Sequence, residues 1–180
     1  GTAGLLLYAA VSYARLRRKV TDAVLVEPGV YETDAIVSPF VLGIVRPRVI
    51  LPVDLTGEAR ALVLRHERAH IVRLDHAAKP AAFLLLTVHW FNPLAWLSFY
   101  LLTKDMEMSV DETVMQKADS DIRAEYSKSL LSLSLKQSGM LIPLAFGESN
   151  TKARVKNVLN FKKPSGWICV AAAVLIVAAA

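Results

Sequence analysis

The sequence of 180 residues contains a single cysteine, Cys169, so the chain cannot close an internal disulfide. Any metal site must therefore be built from histidine and carboxylate side chains. The sequence also lacks internal repeats and any basic motif interleaved with aromatic residues, which argues against a direct nucleic-acid partner. Apolar residues, in contrast, make up 54% of the chain, and the mean hydropathy is +0.39. Both values are high for a soluble domain and predict contact with a membrane.

Each end of the sequence carries an apolar run that is too short to span a bilayer alone. A signal peptide would need basic residues before the first run, but the basic stretch 15–19 follows it. By the positive-inside rule, this stretch and the lysines before the last run place the intervening part on the cytoplasmic side. We therefore expect the end of a transmembrane helix in residues 1–14, a cytoplasm-facing domain in residues 15–163, and the start of a final transmembrane helix in residues 164–180. Cys169 would be a passive membrane-facing residue there.

The domain between these runs has a mixed pattern. Short β-branched segments predict three or four antiparallel strands, at 24–27, 35–38, 41–45 and 49–52, with a turn at Pro28 and Gly29. A helical pattern follows, with Thr56 as a candidate N-cap. The sequence predicts an α+β fold with a small antiparallel sheet and several helices.

The most informative motif lies in this helix, where His66, Glu67 and His70 form a His-Glu-x-x-His pattern. Residues four apart project from one face of a helix, so both imidazoles can bind one tetrahedral Zn²⁺ ion. Glu67 can then act as general base toward a water molecule at the ion. The alternative is a solvated face that carries histidine and glutamate by chance.

Residues 80–102 are apolar and long enough to cross a bilayer once. However, Lys79 and Lys104 flank the stretch equally, and Pro93 disfavours helix at Asn92. We therefore predict a hairpin of two short helices that enters the membrane and returns. This topology keeps the residues after Lys104 on the same side as the His-Glu-x-x-His motif.

A catalytic zinc site needs a third protein ligand, and an acidic helical segment follows the hairpin. Glu107 and Asp111 share one face at a spacing of four. Glu107 is our candidate for the third ligand, and Asp111 could hold the outer ring nitrogen of a ligating histidine. The alternative is an acidic, solvated helix face.

These motifs, in this order, resemble the integral-membrane metallopeptidase domain of the BlaR/MecR family of antirepressors and β-lactam sensor-transducers. The resemblance also includes Ser38-Pro39-Phe40, Arg46-Pro47-Arg48, His89-Trp90-Phe91-Asn92-Pro93 and Phe146-Gly147-Glu148-Ser149-Asn150, and it covers about residues 35–165. It implies a gluzincin with one Zn²⁺ ion held by His66, His70 and Glu107, with Glu67 as general base and Asp111 as an outer partner.

The resemblance further implies a multi-pass protein of the bacterial cell membrane with its catalytic site facing the cytoplasm. It suggests signal transduction by regulated self-cleavage, cleavage of a cytoplasmic transcriptional repressor, or both. Partners would then be a peptide or protein substrate and the lipid bilayer, with a homodimer as one possible assembly. The strand at 41–45 is a candidate edge for an extended substrate. The competing interpretations are a non-peptidase zinc hydrolase and a catalytically silent, zinc-stabilised signalling or scaffold domain.

The family resemblance places self-cleavage before the last transmembrane helix, and residues 142–150 fit this position. We expect Pro143 and Gly147 to interrupt helix there and to leave an extended backbone. The cleavage-site candidates are Phe146, Gly147, Glu148, Ser149 and Asn150. An ordinary surface loop is the alternative.

Three further polar residues have two interpretations each. His76 could donate a proton or stabilise an oxyanion, but a helix-end polar residue is the simpler prediction. His89 is predicted to anchor the hairpin at the membrane interface rather than bind metal. Tyr126 is predicted to pack in the core, although its hydroxyl could serve as a donor in catalysis.

Overall fold

The computed structural model describes residues 1–137 and 147–162. Helices and strands follow one another in these residues as α1 (Thr2–Lys19), β1 (Val24–Glu27), β2 (Val30–Thr33), β3 (Phe40–Leu42), β4 (Arg48–Pro52), α2 (Gly57–Val72), α3 (Asp75–Val88), α4 (Pro93–Gln116), α5 (Arg123–Gln137) and α6 (Gly147–Leu159). The predicted α+β class is confirmed.

The four strands form one sheet in the order β1-β2-β4-β3. Strands β1 and β2 are an antiparallel hairpin whose turn contains Pro28 and Gly29, with Gly29 at a φ of 76°. Strand β3 also pairs antiparallel with β4, but β2 and β4 are parallel. The prediction of a purely antiparallel sheet is therefore wrong, because the chain leaves β2, forms β3 at the edge, and inserts β4 between them.

Two predicted strand boundaries also differ from the structure. The strand predicted at 35–38 is absent, and the chain pairs through Val30–Thr33 instead. The Thr33 hydroxyl accepts a hydrogen bond from the Ala35 amide, and this local turn ends the strand. The strand predicted at 41–45 stops at Leu42, since Gly43 has a φ of 98° that turns the chain out of the sheet.

Two apolar clusters position helix α2 between the sheet and the other helices. In the first, Val63 and Leu64 of α2 pack on Val30, Val49 and Leu51 of the sheet. The second joins α2 to α4, α5 and α6, and its buried members are Leu62, Val114, Met115, Tyr126, Leu130 and Val158. Because opposite faces of α2 are buried in this way, the helix has one fixed orientation relative to α4.

Helices α3 and α4 form the predicted helical hairpin, with the bend at residues 89–92. The Asn92 side chain accepts a hydrogen bond from the Leu94 amide at 2.9 Å, and Pro93 occupies the start of α4. Both helices extend beyond residues 80–102, and Pro80 lies inside α3. The longer α4 continues without a break from the apolar hairpin to Glu107 and Asp111.

Among the described residues, we find no helix whose length and apolar content suffice to cross a membrane. Helix α1 contains the first apolar run and its basic flank. The predicted final transmembrane helix at 164–180 lies outside the described residues. Entry of the α3–α4 hairpin into a membrane stays a prediction.

Candidate metal centre

Helix α2 brings two imidazoles together at the centre of the molecule. His66 and His70 are one turn apart, and their Nε2 atoms are 3.1 Å from each other. His66 and the neighbouring Glu67 are buried, whereas His70 is only partly exposed. Two nitrogen lone pairs that converge at this distance need a proton or a cation between them.

Helix α4 adds a carboxylate to this pair. Glu107 Oε2 lies 3.5 Å from His66 Nε2, and Glu107 Oε1 lies 3.7 Å from His70 Nε2. One potential ligand atom from each of the three residues falls within 4.8 Å of the other two, so His66, His70 and Glu107 could hold a metal ion. Tetrahedral zinc with bonds of about 2.0–2.1 Å places its ligand atoms about 3.3–3.4 Å apart, close to the 3.1 Å between the two Nε2 atoms.

Both histidines have their outer ring nitrogen fixed by an acceptor. His70 Nδ1 lies 2.9 Å from Asp75 Oδ2, and His66 Nδ1 lies 2.7 Å from the Tyr126 hydroxyl oxygen. The Tyr126 hydroxyl in turn donates to Asp111 Oδ1 at 2.7 Å. Protons on both Nδ1 atoms satisfy these hydrogen bonds and leave both Nε2 lone pairs free for a metal ion.

The turn between α2 and α3 explains how Asp75 reaches His70. Leu74 adopts a left-handed conformation with a φ of 61°, and α3 begins at the next residue. This sharp reversal directs the Asp75 carboxylate back to the last turn of α2. A bulky residue seldom adopts such a conformation, so the surrounding structure must hold it.

Burial and charge set the protonation of the acidic groups. Burial is the largest cause that raises the pKa of Glu67 to about 7; the His66 charge opposes this shift, and the Glu107 charge adds to it. Burial would also raise the pKa of Glu107, but the hydrogen bond to His66 and the charge of Arg154 hold it well below its usual range. Glu107 thus stays ionised, whereas Glu67 can accept and release a proton near neutral pH.

The histidines differ in their metal-free state. Burial disfavours the charged form of His66, yet hydrogen bonds to Asp111 and Glu107 outweigh this effect and raise its pKa to about 9. Burial lowers the pKa of His70. A proton on His66 therefore takes the place of a cation in this centre, and binding of a metal ion there would release it.

Sequence reasoning missed two residues of this centre. Asp75 follows the motif directly, but only the left-handed turn brings it back to His70. Arg154 of α6 enters the centre from the opposite side: its guanidinium contacts both oxygens of Asp111 at 2.8 Å and Glu107 Oε2 at 3.0 Å. The sequence offered only a spacing: Arg154 lies four residues before Val158 and so shares its helix face. The structure shows that Val158 on this face is buried.

The alternatives for the other polar residues are partly resolved. Tyr126 packs in the core as predicted, and its hydroxyl also belongs to the centre. His76 lies in the first turn of α3, where its Nδ1 atom is buried without a hydrogen-bond partner. His89 is exposed at the hairpin bend, and its ring bonds to the Leu85 carbonyl.

The segment predicted for cleavage is only partly described. Residues 138–146, which include Pro143 and Phe146, lie outside the described residues. Gly147, Glu148, Ser149 and Asn150 form the first turn of α6, so the expected extended backbone is not found there.

Comparison with known proteins identifies a family that this chain matches. Residues 7–158 match a family model described as the BlaR1 peptidase M56. The regulatory protein BlaR1 of Bacillus licheniformis is 34% identical over 136 residues, which is 71% of this chain and 23% of that protein. The methicillin resistance mecR1 protein of Staphylococcus aureus is 24% identical over 130 residues, covering 67% of this chain and 22% of that protein. The chain thus spans about a quarter of the length of these relatives.

Proposed function

The chain belongs to the BlaR1 peptidase M56 family, and from this premise we propose that it is a membrane-embedded zinc endopeptidase that works in signal transduction. The observation that carries the proposal is the convergence of His66, His70 and Glu107 beside the buried Glu67. Two imidazoles and one carboxylate are the ligand set of a catalytic zinc site with an open fourth position.

Each side chain then has a defined task in peptide hydrolysis. His66, His70 and Glu107 would hold Zn²⁺, which when bound polarises a carbonyl and lowers the pKa of water. Glu67 takes a proton from the attacking water and passes it to the leaving amine. Burial raises the pKa of Glu67 in the metal-free centre, which favours a group that both accepts and releases a proton.

Strand β3 offers a binding edge for an extended peptide. It pairs with β4 on one side, forms the end of the sheet on the other, and lies against α2. A peptide added to this free edge would run beside the helix that carries His66 and Glu67. This geometry supports an endopeptidase more directly than hydrolysis of a small molecule.

The apolar surface of the α3–α4 hairpin supports a membrane location. Large apolar side chains are exposed on α3, on α4 and at the bend between them. They are Leu84, Leu85, Val88, Trp90, Phe91, Leu94, Trp96, Leu97, Leu101 and Leu102. Because a contiguous apolar surface of this kind requires a cover, we propose that the hairpin enters the bilayer while the metal centre faces the cytoplasm.

The names of the relatives suggest a regulatory role, as a regulatory protein and a methicillin resistance protein. We propose that the substrate is the protein's own chain within residues 142–150, a cytoplasmic transcriptional repressor, or both. Cleavage within residues 147–150 would require the first turn of α6 to open, since a peptidase binds its substrate in an extended form.

The experiment compares fragments of the intact protein in membranes for the wild type, Glu67→Gln and Glu58→Gln. Glu67→Gln keeps the shape of the buried side chain but removes the general base. Glu58 is an exposed residue of the same helix and serves as the matched control. We expect mass spectrometry to find fragments that end within residues 142–150 in the wild type and in Glu58→Gln only, with zinc retained in all three proteins. If Glu67→Gln gives the same amount of these fragments as the wild type, another protease makes them. If this variant also signals like the wild type, a catalytically silent, zinc-stabilised domain is favoured.

A further inference from the structure

Helix α6 places an arginine at the rim of the metal centre, where it contacts the α4 carboxylates. Arg154 Nε and Nη2 each lie 2.8 Å from one oxygen of Asp111, and Nη1 lies 3.0 Å from Glu107 Oε2. Its Nη2 atom is also 3.5 Å from His66 Nε2, the nitrogen that faces the ligand cluster. The Arg154 side chain is only 16% exposed, and the Asp111 side chain is completely buried.

We propose that Arg154 is a positioning residue that limits how many carboxylate oxygens can bind the metal ion. This inference rests on the proposed metal centre and adds to it a residue that sets the coordination. The guanidinium contacts Glu107 Oε2, which also lies 3.5 Å from His66 Nε2, so Oε1, at 3.7 Å from His70 Nε2, is the oxygen that Arg154 leaves to the metal ion. It also holds both oxygens of Asp111, so that this carboxylate remains a partner of Tyr126 and His66.

The charges of the centre support the same conclusion. Arg154 contacts the two carboxylates of α4, Glu107 and Asp111, whereas the Asp75 carboxylate lies 3.4 Å from Arg73, so Arg154 is the cation that faces the α4 carboxylates. Without Arg154, an excess negative charge and a freed carboxylate would be left in a buried site. More carboxylate oxygens around an ion favour five or six ligands and harder ions such as Mn²⁺ over tetrahedral Zn²⁺.

The contacts of Arg154 depend on the planar shape of its guanidinium group. Its Nε and Nη2 atoms donate parallel hydrogen bonds to the two oxygens of Asp111, while Nη1 contacts Glu107. A lysine ammonium is a point charge and cannot make the parallel pair and the third contact together. A conservative Arg154→Lys change should therefore alter the coordination although it preserves the charge.

A simpler role for Arg154 would be to dock α6 against α4. The chain offers a matched control for this alternative: the Asn157 amide of α6 donates to Glu112 Oε1 of α4 at 2.9 Å, away from the ligand atoms. If Arg154 affected metal coordination only by docking α6 against α4, Asn157→Ala should change the coordination as strongly as a substitution of Arg154.

The test loads the full chain, purified in detergent, with Co²⁺ as a spectroscopic probe and compares four proteins. The wild type and Asn157→Ala should show the intense visible bands of four-coordinate Co²⁺. Arg154→Met and, to a smaller degree, Arg154→Lys should lose them toward the weak bands of five- or six-coordinate Co²⁺. The affinity for Mn²⁺ relative to Zn²⁺ should rise about tenfold in Arg154→Met, which is the lower end of the 10- to 100-fold range by which loss of an outer partner changes metal affinity.

Arg154→Lys keeps the test usable if Arg154→Met does not fold, which thermal unfolding would show. The proposal is overturned if folded Arg154 variants keep the wild-type bands and metal preference, or if Asn157→Ala changes both equally. Failure of the wild type to bind any metal would refute the proposed function itself, and the two failures are thus distinguishable.

Discussion

The Nε2 atoms of His66 and His70 face each other. The Nδ1 atom of His66 hydrogen-bonds to Tyr126, and that of His70 hydrogen-bonds to Asp75. The sequence alone predicted the first half of this arrangement, because the spacing of four on a helix dictates it. It could not predict Asp75 as an acceptor, since that contact depends on the left-handed backbone at Leu74. The Tyr126 contact likewise depends on how α5 packs against α2.

Replacement of Asp75 tests whether the outer contact matters. Asp75→Ala removes the acceptor of the His70 Nδ1 proton, so His70 loses both its fixed tautomer and its fixed ring orientation. We expect zinc affinity, measured by competition with a chelator, to fall about 10- to 100-fold. Asp121→Ala is the control, because Asp121 forms its ion pair with Arg123 at the exposed surface. Equal affinity in the two variants would show that the Asp75 contact does not support metal binding.

At the scale of elements, two helices determine the centre. Helix α4 continues from the apolar hairpin to Glu107, so one rigid element links the proposed membrane-facing surface to the metal site. Helix α2 is fixed on the sheet by apolar packing and by Arg60, which bridges Glu27 and Glu32 at 2.8 Å each. The bend at Asn92 and Pro93 could be predicted because proline lacks a backbone donor. The helix ends could not, because α3 and α4 extend into polar sequence to pack on each other and on α2.

The topology of the hairpin can be tested by chemical labelling. Lys79 in α3 and Lys104 in α4 are at similar distances from the bend, so a hairpin that enters and leaves on one side keeps both in the cytoplasm. Cysteines placed at these positions in a Cys169→Ser background should resist an impermeant thiol reagent added outside the cell. Both should react after the cells are permeabilised. Labelling of one position alone in intact cells would indicate a true span and separate Glu107 from the histidines.

At the scale of the whole molecule, the centre is assembled from elements that are distant in the chain. The candidate ligands come from α2 and α4, and their supporting contacts come from the start of α3 and from α5 and α6. Sequence reasoning identified the ligand candidates because each motif carries its chemistry in local spacing. The role of α6 depends on a contact between Asp111 and Arg154, which are 43 residues apart. Local sequence spacing cannot predict a contact between residues so far apart in the chain.

The measurement that tests the central claim most directly is the zinc content of the purified full chain, determined by elemental analysis for the wild type, Glu107→Ala and Glu112→Ala. Glu112 lies on the same helix as Glu107 but bonds to Asn157 instead of the histidines. We predict about one zinc ion per chain in the wild type and in Glu112→Ala, because three protein ligands hold one ion in a catalytic site. Glu107→Ala should lose the ion. Full zinc occupancy in folded Glu107→Ala would contradict the assignment of His66, His70 and Glu107 as the metal centre.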